Sequence, residues 1–259
     1  MQQRPKSAEE VERLTRAGAI AAEILDELGA SIEPGVSALS LDERAADMLS
    51  VRGAVAAFKG YQPSSAHSPF PNSLCVSRNA TVVHGVPDFH NEVVQDGDII
   101  TLDIGVAYEG MIVDTARTFC VGAVPGEVRE LVAVTEGALL EGIAEARAGN
   151  RVGDIGAAIE EYVYEHGDYG IIDVLCGHGV GHAVHEEPQV PNFGRPGTGV
   201  KLLPGMVVAI EPMINLGKRD VVFDPDGYTV RTKDGTPSAH FEDTVVITED
   251  GPLNVTRLR

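Results

Sequence analysis

The chain has 259 residues, 43% of them hydrophobic and 23% charged, with a formal net charge of −19, which disfavours a nucleic-acid backbone as the main partner. This length predicts one large globular domain, residues 1–259, and neither an apolar run long enough for a membrane span nor the apolar core of a signal peptide is present. Three cysteines without a CxxC pair are typical of a reducing compartment, so we expect a cytoplasmic location.

The first elements in the chain are two predicted helices. Ser7 followed by Glu10 forms a capping-box pattern that opens a helix ending at Gly29. Ser40 followed by Glu43 repeats the pattern and predicts a short helix through Met48. Residues 60–79 are rich in Ser, Pro and Gly, and a connection of that length inside a domain is usually functional or disordered.

Residues 101–119 predict a β-hairpin with Gly110 in its turn. Asp103 lies in one arm and Asp114 in the other, and pairing about residues 108–110 would place them roughly opposite each other. Two carboxylates that face each other in a core repel and are costly to desolvate. Either a cation lies between them, or each ends a strand and meets solvent; the hairpin alone leaves both interpretations open.

The second half of the chain repeats the order of the first. Helices are predicted at about residues 128–146 and 154–165, followed by a Gly/His-rich loop and further strands. Residues 97–103 align with residues 205–211, each with a turn glycine, an apolar strand and a final carboxylate, and Asp114 has a counterpart in Glu242. The repeat predicts an α/β fold of two duplicated halves, roughly 1–124 and 125–259, with the helices outside.

Such packing would bring Asp103, Asp114, Glu211 and Glu242 to a shared centre. Only Arg117 lies near these acids in the same strands, and one cation does not balance four carboxylates. Two divalent cations would, and oxygen ligands with an imidazole suit Mn, Fe, Co or Zn. His178 between two glycines is the preferred imidazole, with His182 and His185 as alternatives.

Six motifs together resemble the methionine aminopeptidases, and they occur in that family's order over essentially the whole chain: VVHGVP, LDIG, IVDTARTF, CGHGVGHAVHEEPQVPN, AIEPM and FEDTVVIT. The short distance from Glu211 to Glu242 resembles the type I class. The resemblance implies the pita-bread fold, an α/β architecture with antiparallel sheets inside two pseudo-symmetric halves. It also implies removal of the N-terminal methionine from nascent chains, with preference for a small second residue.

The resemblance further implies a role for each matching residue. The metal ligands would be Asp103, Asp114, His178, Glu211 and Glu242, with Asp114 and Glu242 bridging two metals. Glu211 would also accept a proton from the attacking water and pass it to the leaving amine. His84 and His185 match the family's two histidines that hold the substrate amide and its developing oxyanion.

The methionine pocket implied by the resemblance is lined by Phe58, Tyr61, Phe70, Cys75 and Val184. These side chains are apolar or soft, which suits a flexible thioether, although ordinary packing explains Phe58 and Val184 equally well. The chain departs from the family in an insertion from Gln62 to Pro69, in Gly105 where a polar residue is frequent, and in having no Trp at the pocket rim. Asn79 and Ser238 match the positions of a monovalent cation site.

The remaining histidines are interpreted as solvated. His67, His90, His166 and His240 fall in predicted loops or at strand ends, and His182 lies in the Gly/His-rich loop, where contact with substrate remains open. The resemblance implies nascent polypeptide N-termini as partners, met at the ribosome, and we expect a monomer.

Two other functions remain open. A proline-directed peptidase or a creatinase would carry similar metal motifs, but such proteins usually have an extra N-terminal domain, and Asp103 comes too early for one. A catalytically dead interaction module on the same fold would have lost ligands, whereas all five and both histidines are present here.

Overall fold

The computed structural model describes residues 4–63 and 67–257. Its four helices are α1 (Ala8–Gly29), α2 (Ala38–Val51), α3 (Gly126–Glu145) and α4 (Val152–His166). Its strands are β1 (Val55–Ala56), β2 (Cys75–Arg78), β3 (Thr81–Val83), β4 (Ile99–Tyr108), β5 (Met111–Cys120), β6 (Gly170–Ile171), β7 (Gly177–Gly179), β8 (Glu186–Val190), β9 (Val207–Ile210), β10 (Met213–Asn215), β11 (Val221–Phe223), β12 (Val230–Thr232), β13 (Ser238–His240), β14 (Asp243–Thr248) and β15 (Gly251–Asn254).

The capping box that opens α1 is confirmed. The Ser7 hydroxyl accepts a hydrogen bond from Glu10 N, and the Glu10 carboxylate accepts one from Ser7 N at 2.7 Å. These bonds satisfy two of the backbone N–H groups that a helix start leaves unpaired. The helix then buries a stripe of side chains that includes Leu14, Leu25 and Leu28.

The predicted start and end of α2 are wrong. Ser37, not Ser40, is the N-cap, and its hydroxyl accepts a hydrogen bond from Ser40 N at 3.2 Å. The helix continues to Val51. The Ser40–Glu43 pair has the sequence of a capping box but begins inside the first turn of the helix. Ser37 is the N-cap because its backbone is still extended (ψ 151°), as an N-cap residue requires.

Every strand pair of the described residues is antiparallel. β4 pairs with β5 on one side and with β1 and β2 on the other, and a second sheet has the order β15-β14-β9-β7-β8. Two smaller sheets have the orders β13-β10-β6 and β11-β12-β3. Helix α1 packs on β4 and β5, and α3 packs on α4, so the helices cover the outer faces of the sheets.

The predicted hairpin is confirmed, and its register places Asp103 and Asp114 two residues away from direct opposition. The turn consists of Glu109 and Gly110 alone, both with positive φ (48° and 79°), so that Tyr108 pairs with Met111. Two-residue turns of this kind match the twist of the flanking strands. Asp103 therefore pairs with Ala116, and Asp114 with Gly105, which makes the two carboxylates diagonal rather than direct neighbours on one face.

The two larger sheets meet where β5 approaches the segment before β14. Ala116 and Glu242 exchange two backbone hydrogen bonds, of 3.2 and 3.0 Å, and the Thr115 hydroxyl donates to Glu242 O at 2.8 Å. One apolar cluster lies beneath α1 and α2 and includes Val207, Ala209 and Val246 of the second sheet, and another lies beneath α3 and α4. No helix within the described ranges combines the length and the apolar character needed to cross a membrane.

Candidate active site

Four strand regions bring the predicted acids together on the inner side of the two sheets. Asp103 lies on β4 and Asp114 on β5, while Glu211 follows β9 and Glu242 precedes β14. All four are buried, with 2–9% of each residue exposed. The cavity beside them is also lined by His178, so the structure places all five predicted metal ligands at one site.

Backbone contacts between the sheets hold this arrangement. Asp114 N donates to the Thr244 hydroxyl at 2.9 Å, and that hydroxyl donates back to Asp114 O at 2.8 Å. Glu242 is fixed by its two bonds to Ala116. The backbone positions of Asp114 and Glu242 are therefore fixed by hydrogen bonds that cross the boundary between the two sheets.

His178 lies on β7, which pairs with β9 so that His178 faces Ala209 across the ladder. Its Nδ1 lies 2.9 Å from Gly179 O, which assigns the ring hydrogen to Nδ1 and leaves the lone pair on Nε2. This Nε2 lies 3.5 Å from Glu211 Oε1, and 4.0 Å from both Asp114 Oδ2 and Glu242 Oε1.

The four acids have strongly perturbed proton affinities. Burial raises the pKa of Asp103 to about 7. Burial, followed by repulsion from neighbouring carboxylates, raises the pKa values of Asp114, Glu211 and Glu242 well above their ordinary range. Arg117 does not relieve this charge, because its guanidinium contacts Asp243 at 2.9 Å and the carbonyl oxygens of Glu242 and Thr256.

The residues fit a divalent metal centre. Asp103 Oδ1, Asp114 Oδ1 and Glu242 Oε1 are buried without a hydrogen-bond partner within residues 4–63 and 67–257. One ligand atom each of Asp114, His178 and Glu242 lies within 4.8 Å of the others. Burial, and then His185, lowers the pKa of His178 to about 3, so its imidazole is neutral and its Nε2 lone pair is available to a cation.

Two further histidines predicted from the sequence line the same cavity. His84 has a φ of 57°, unusual for a residue other than glycine, and its carbonyl oxygen accepts a hydrogen bond from the Thr229 hydroxyl at 3.3 Å. The His185 ring lies 4.3 Å from the His178 ring, and its Nδ1 is 2.8 Å from the Tyr61 hydroxyl. Burial lowers the pKa of His84 to about 4 and also lowers that of His185, so both are neutral near pH 7.

The cavity has a volume of about 560 Å³ and is lined by aromatic side chains as well as by the acids. Phe58, Tyr61, Phe70 and Cys75 all line it, as the pocket prediction expects. Val184 is buried but is not among the lining residues in the part of the chain that the structure describes.

The departures from the family pattern have definite places in the structure. Tyr228 supplies a ring to the cavity wall, 5.1 Å from the Phe70 ring, so this wall is aromatic without a Trp. A Cβ on Gly105 would lie 2.6 Å from Phe58 Cε1, which explains why no side chain stands there. Of the insertion from Gln62 to Pro69, residues 64–66 lie outside the described residues; Ser68 O accepts a hydrogen bond from the Tyr228 hydroxyl.

The predicted monovalent cation residues are close to each other. Asn79 O accepts a hydrogen bond from Ser238 N at 2.9 Å, and the Ser238 hydroxyl donates to Ile214 O at 3.2 Å. The Asn79 side chain contacts Asp98 and Ile99 N. A cation at this position stays a prediction.

The interpretation of His240 as a solvated residue is wrong. It is 1% exposed, and its Nε2 lies 3.8 Å from Glu211 Oε2 and 4.0 Å from Glu242 Oε2. One signal was available in the sequence: His240 stands two residues before Glu242, and alternate residues of an extended chain share a face. His90 also differs from the prediction, since it is half-buried and its Nε2 lies 3.0 Å from Asp226 Oδ2.

The other three histidines are exposed, as predicted. His67 and His166 lie at the surface. His182 lies in the loop before β8, where its Nε2 is 2.9 Å from Glu10 Oε1.

The sequence matches the family described as Metallopeptidase family M24 over residues 12–249. The chain belongs to this family. Membership confirms the predicted metallopeptidase class, and with it a dependence on divalent metal.

Individual relatives agree with this assignment. Methionine aminopeptidase 1 of Bacillus subtilis is 42% identical over 253 residues, which cover 98% of each chain. The crystal structure of methionine aminopeptidase from Thermotoga maritima superposes with a TM-score of 0.93 at 39% identity, covering 98% of this chain and 99% of that one. The predicted resemblance and the predicted pita-bread fold class are confirmed.

The fold is also shared with peptidases of other specificity. A Xaa-Pro dipeptidase from Bacillus anthracis superposes with a TM-score of 0.74 at 24% identity, and this chain covers 62% of that protein. This likeness concerns the fold alone.

Proposed function

We propose that the protein removes the N-terminal methionine from nascent proteins and peptides by metal-assisted hydrolysis of the first peptide bond, with preference for a small second residue. The observation that carries this proposal is the buried set of four carboxylates and one neutral imidazole beside an aromatic cavity. The high similarity to methionine aminopeptidases over the whole chain supports the substrate.

Asp103, Asp114, His178, Glu211 and Glu242 would hold two divalent ions, with Asp114 and Glu242 shared between them. When bound, such ions lower the pKa of water toward neutrality and polarise a carbonyl group. The physiological choice would be Mn, Fe, Co or Zn, since this mixed donor set admits each of them. A monovalent cation at Asn79 and Ser238 would be an additional structural ion.

The chain's own side chains would then move the protons. Glu211 would accept a proton from the attacking water and deliver it to the leaving amine, because its raised pKa suits a group that must be protonated and deprotonated in turn. His84 and His185 would donate hydrogen bonds to the substrate amide and to the oxygen on which charge develops. When the Tyr61 hydroxyl donates to His185 Nδ1, the ring hydrogen is on Nε2 and available to the substrate.

The aromatic wall would bind the methionine side chain. Phe58, Tyr61, Phe70 and Cys75 line the cavity and provide a soft, polarisable surface for a thioether. The free α-amine of the substrate would bind at the metal centre, which would restrict cleavage to the first bond of a chain.

The wider setting follows from the substrate. We infer that the protein acts in the cytoplasm as a monomer on chains emerging from the ribosome, and that residues 1–259 form a single catalytic domain whose halves, roughly 1–124 and 125–259, arose by duplication. The reciprocal contacts of Thr115 with Glu242 and Thr244 with Asp114 support equivalent roles for the two halves.

A peptide panel tests the proposal. The purified protein, supplied in turn with Mn²⁺, Fe²⁺, Co²⁺ and Zn²⁺, should release methionine from Met-Gly-Met, release it more slowly from Met-Leu-Met, and leave acetyl-Met-Gly-Met and Gly-Pro intact. Mass spectrometry of the products follows each reaction. Faster turnover of Gly-Pro would favour a proline-directed peptidase, and no turnover together with no tight divalent-metal binding would favour an interaction module.

A further inference from the structure

His240 has no role in the chemistry described so far, yet it is buried beside the acids. Its side chain is 2% exposed, and neither ring nitrogen has a hydrogen-bond partner within the described ranges. A buried polar group left unpaired typically costs about 1–3 kcal/mol, so such a group in a folded protein calls for an explanation.

The backbone around His240 is fixed, so the ring does not reach solvent by a small movement. His240 pairs with Met213 in the β10–β13 ladder. Its N–H donates to the Thr118 hydroxyl at 3.0 Å, and that hydroxyl donates to His240 O at 2.7 Å. The imidazole is therefore presented to the acids by a rigid strand.

His240 and His178 lie near different carboxylate oxygens of the same two glutamates, Glu211 and Glu242. His178 Nε2 lies near Oε1 of Glu211 and Oε1 of Glu242, at 3.5 and 4.0 Å. His240 Nε2 lies near Oε2 of both residues, at 3.8 and 4.0 Å. Each glutamate thus has one oxygen directed toward each imidazole.

The surroundings of the other ring nitrogen distinguish the two histidines. In His178 the Nδ1 hydrogen is bound to Gly179 O, so Nε2 offers a lone pair. In His240 no acceptor faces Nδ1 among the described residues, whereas two carboxylate oxygens face Nε2. This environment favours the tautomer with the hydrogen on Nε2, which makes His240 a donor rather than a metal ligand.

We propose that His240 is a positioning residue whose Nε2–H donates to the Oε2 atoms of Glu211 and Glu242 and so keeps their Oε1 atoms directed toward His178. The observed separations exceed a normal N–H···O distance of about 2.9 Å by roughly 1 Å, which small rotations of the glutamate side chains would close. The inference rests on the proposed function, since Glu211 and Glu242 are ligands of the metal centre proposed there. Hydrogen bonds of this kind orient ligating carboxylates and raise metal affinity.

The test compares His240→Leu, which removes the donor, with His240→Gln, which restores an N–H group. Phe241→Leu is the matched control, because Phe241 is the next residue in the chain, is equally buried, and packs in the apolar cluster beneath α3 and α4. Titration calorimetry with Mn²⁺ gives the affinity of each full-length variant, and thermal unfolding in EDTA gives the stability of each metal-free form.

We expect His240→Leu to weaken Mn²⁺ binding by about 10- to 100-fold and His240→Gln to recover most of this loss. The metal-free His240→Leu protein should unfold at the same or a higher temperature, because the separations of 3.8 and 4.0 Å are too long for hydrogen bonds, and without metal the substitution replaces an unpaired polar group by an apolar one. Phe241→Leu should lower the unfolding temperature without changing the Mn²⁺ affinity. General structural damage would not produce this opposite behaviour of affinity and stability.

Three results would overturn the assignment. Wild-type Mn²⁺ affinity in His240→Leu would mean that the imidazole does not orient the two glutamates for metal binding. Loss of affinity and of metal-free stability together, without recovery in His240→Gln, would mean a packing role. In the Co²⁺-loaded wild type, a second hyperfine-shifted exchangeable imidazole N–H that disappears in His240→Leu would make His240 a ligand. Failure of the wild-type protein itself to bind Mn²⁺ would instead remove the proposed function along with the positioning role.

Discussion

The Thr244 hydroxyl and the Asp114 backbone are joined by two hydrogen bonds, one from Asp114 N at 2.9 Å and one to Asp114 O at 2.8 Å. Asp114 belongs to the β4–β5 hairpin and Thr244 to β14 in the other large sheet. A single buried hydroxyl therefore satisfies both backbone groups of a proposed bridging ligand across the boundary between the sheets.

Thr244→Val should destabilise the protein and weaken metal binding together. The substitution keeps the shape but leaves two buried backbone groups unpaired, at a cost of about 1–3 kcal/mol for each group. Urea unfolding of the metal-free protein measures the first effect and Mn²⁺ titration the second. Thr244→Ser keeps the hydroxyl and should retain most of the affinity; equal losses in both variants would contradict the role given to the hydroxyl.

His84→Ala should lower turnover of Met-Gly-Met by about 100-fold or more, as loss of one donor to a developing oxyanion does in other hydrolases. Metal affinity should stay near the wild-type value, because His84 is not among the proposed ligands. Steady-state kinetics and Mn²⁺ titration on the same preparation separate the two quantities. A variant with full activity would show that His84 does not act on the substrate.

Lys6→Met should destabilise the loop that carries His185. The Lys6 side chain is fully buried, its Nζ lies 2.7 Å from Glu186 Oε2, and Glu186 Oε1 accepts hydrogen bonds from His182 N and Ala183 N. Removal of one partner of a buried pair costs roughly 3–5 kcal/mol, and we expect the lower end because Glu186 is 15% exposed.

Denaturant unfolding measures the loss of unfolding free energy in Lys6→Met. The kcat should fall as well, because the destabilised loop carries His185. Adding Glu186→Gln to Lys6→Met should recover part of the stability, since no charge is then left unpaired. Arg13→Met is the control at an exposed i,i+4 pair with Glu9, where such contacts contribute about 0.3–0.5 kcal/mol. Similar losses in Lys6→Met and Arg13→Met would contradict the importance of the buried contact.

Gly105→Ala should raise KM for methionyl peptides severalfold while leaving Mn²⁺ affinity unchanged. The added Cβ would lie 2.6 Å from Phe58 Cε1 and 3.2 Å from Ala57 Cβ, so the Phe58 ring must move within the cavity wall. Combining Gly105→Ala with Phe58→Leu should relieve the contact and lower KM again. If Gly105→Ala changes metal affinity instead of KM, the strand, not the pocket, has been displaced.

Metal-free protein should lose stability as the pH rises through about 7. The folded pKa of Asp103 is about 7, above the usual carboxyl value near 4, so its stabilising contribution is complete below about pH 4 and is lost as the pH rises through 7. The raised pKa values of Asp114, Glu211 and Glu242 act in the same direction. The lowered pKa of His84, about 4, has the opposite effect, but only below about pH 6.5.

Thermal unfolding between about pH 6 and pH 8.5 measures this dependence, once in EDTA and once with saturating Mn²⁺. The unfolding temperature should fall with pH in EDTA, and the gain on adding Mn²⁺ should grow, because the cation replaces protons on the acids. A metal-free protein that becomes more stable over this range would contradict the raised carboxyl pKa values.

The sequence allowed the elements and the acid site to be predicted because each has a local pattern. Apolar alternation predicted β4 and β5, and the repeated glycine–strand–carboxylate pattern predicted Glu211 as the partner of Asp103. Register was not predictable to the same degree: the turn is centred between Glu109 and Gly110, half a residue from the middle of residues 108–110, so each pairing partner shifts by one residue.

Contacts between distant segments explain what the sequence did not reveal. The spacing of His240 from Glu242 was the one local signal for its burial, and its backbone is held by the Thr118 hydroxyl of β5, 122 residues away in the chain. Lys6 looks like an ordinary surface lysine before a helix, yet Glu186 pairs with it from 180 residues away. Tyr228 lines the cavity and packs on Phe70, although it lies in the irregular segment before β12, where the sequence has no pattern that indicates such a contact.

The bond pair between Ala116 and Glu242 also bears on how the protein matures during synthesis. A chain leaves the ribosome from its N-terminus, so Asp103 and Asp114 emerge long before the last acid, Glu242. Until that segment docks on Ala116, the proposed metal centre would lack Glu242, one of its two shared ligands. On that proposal, loading with metal would be one of the last steps in the maturation of each molecule, and an interrupted translation product would remain unloaded.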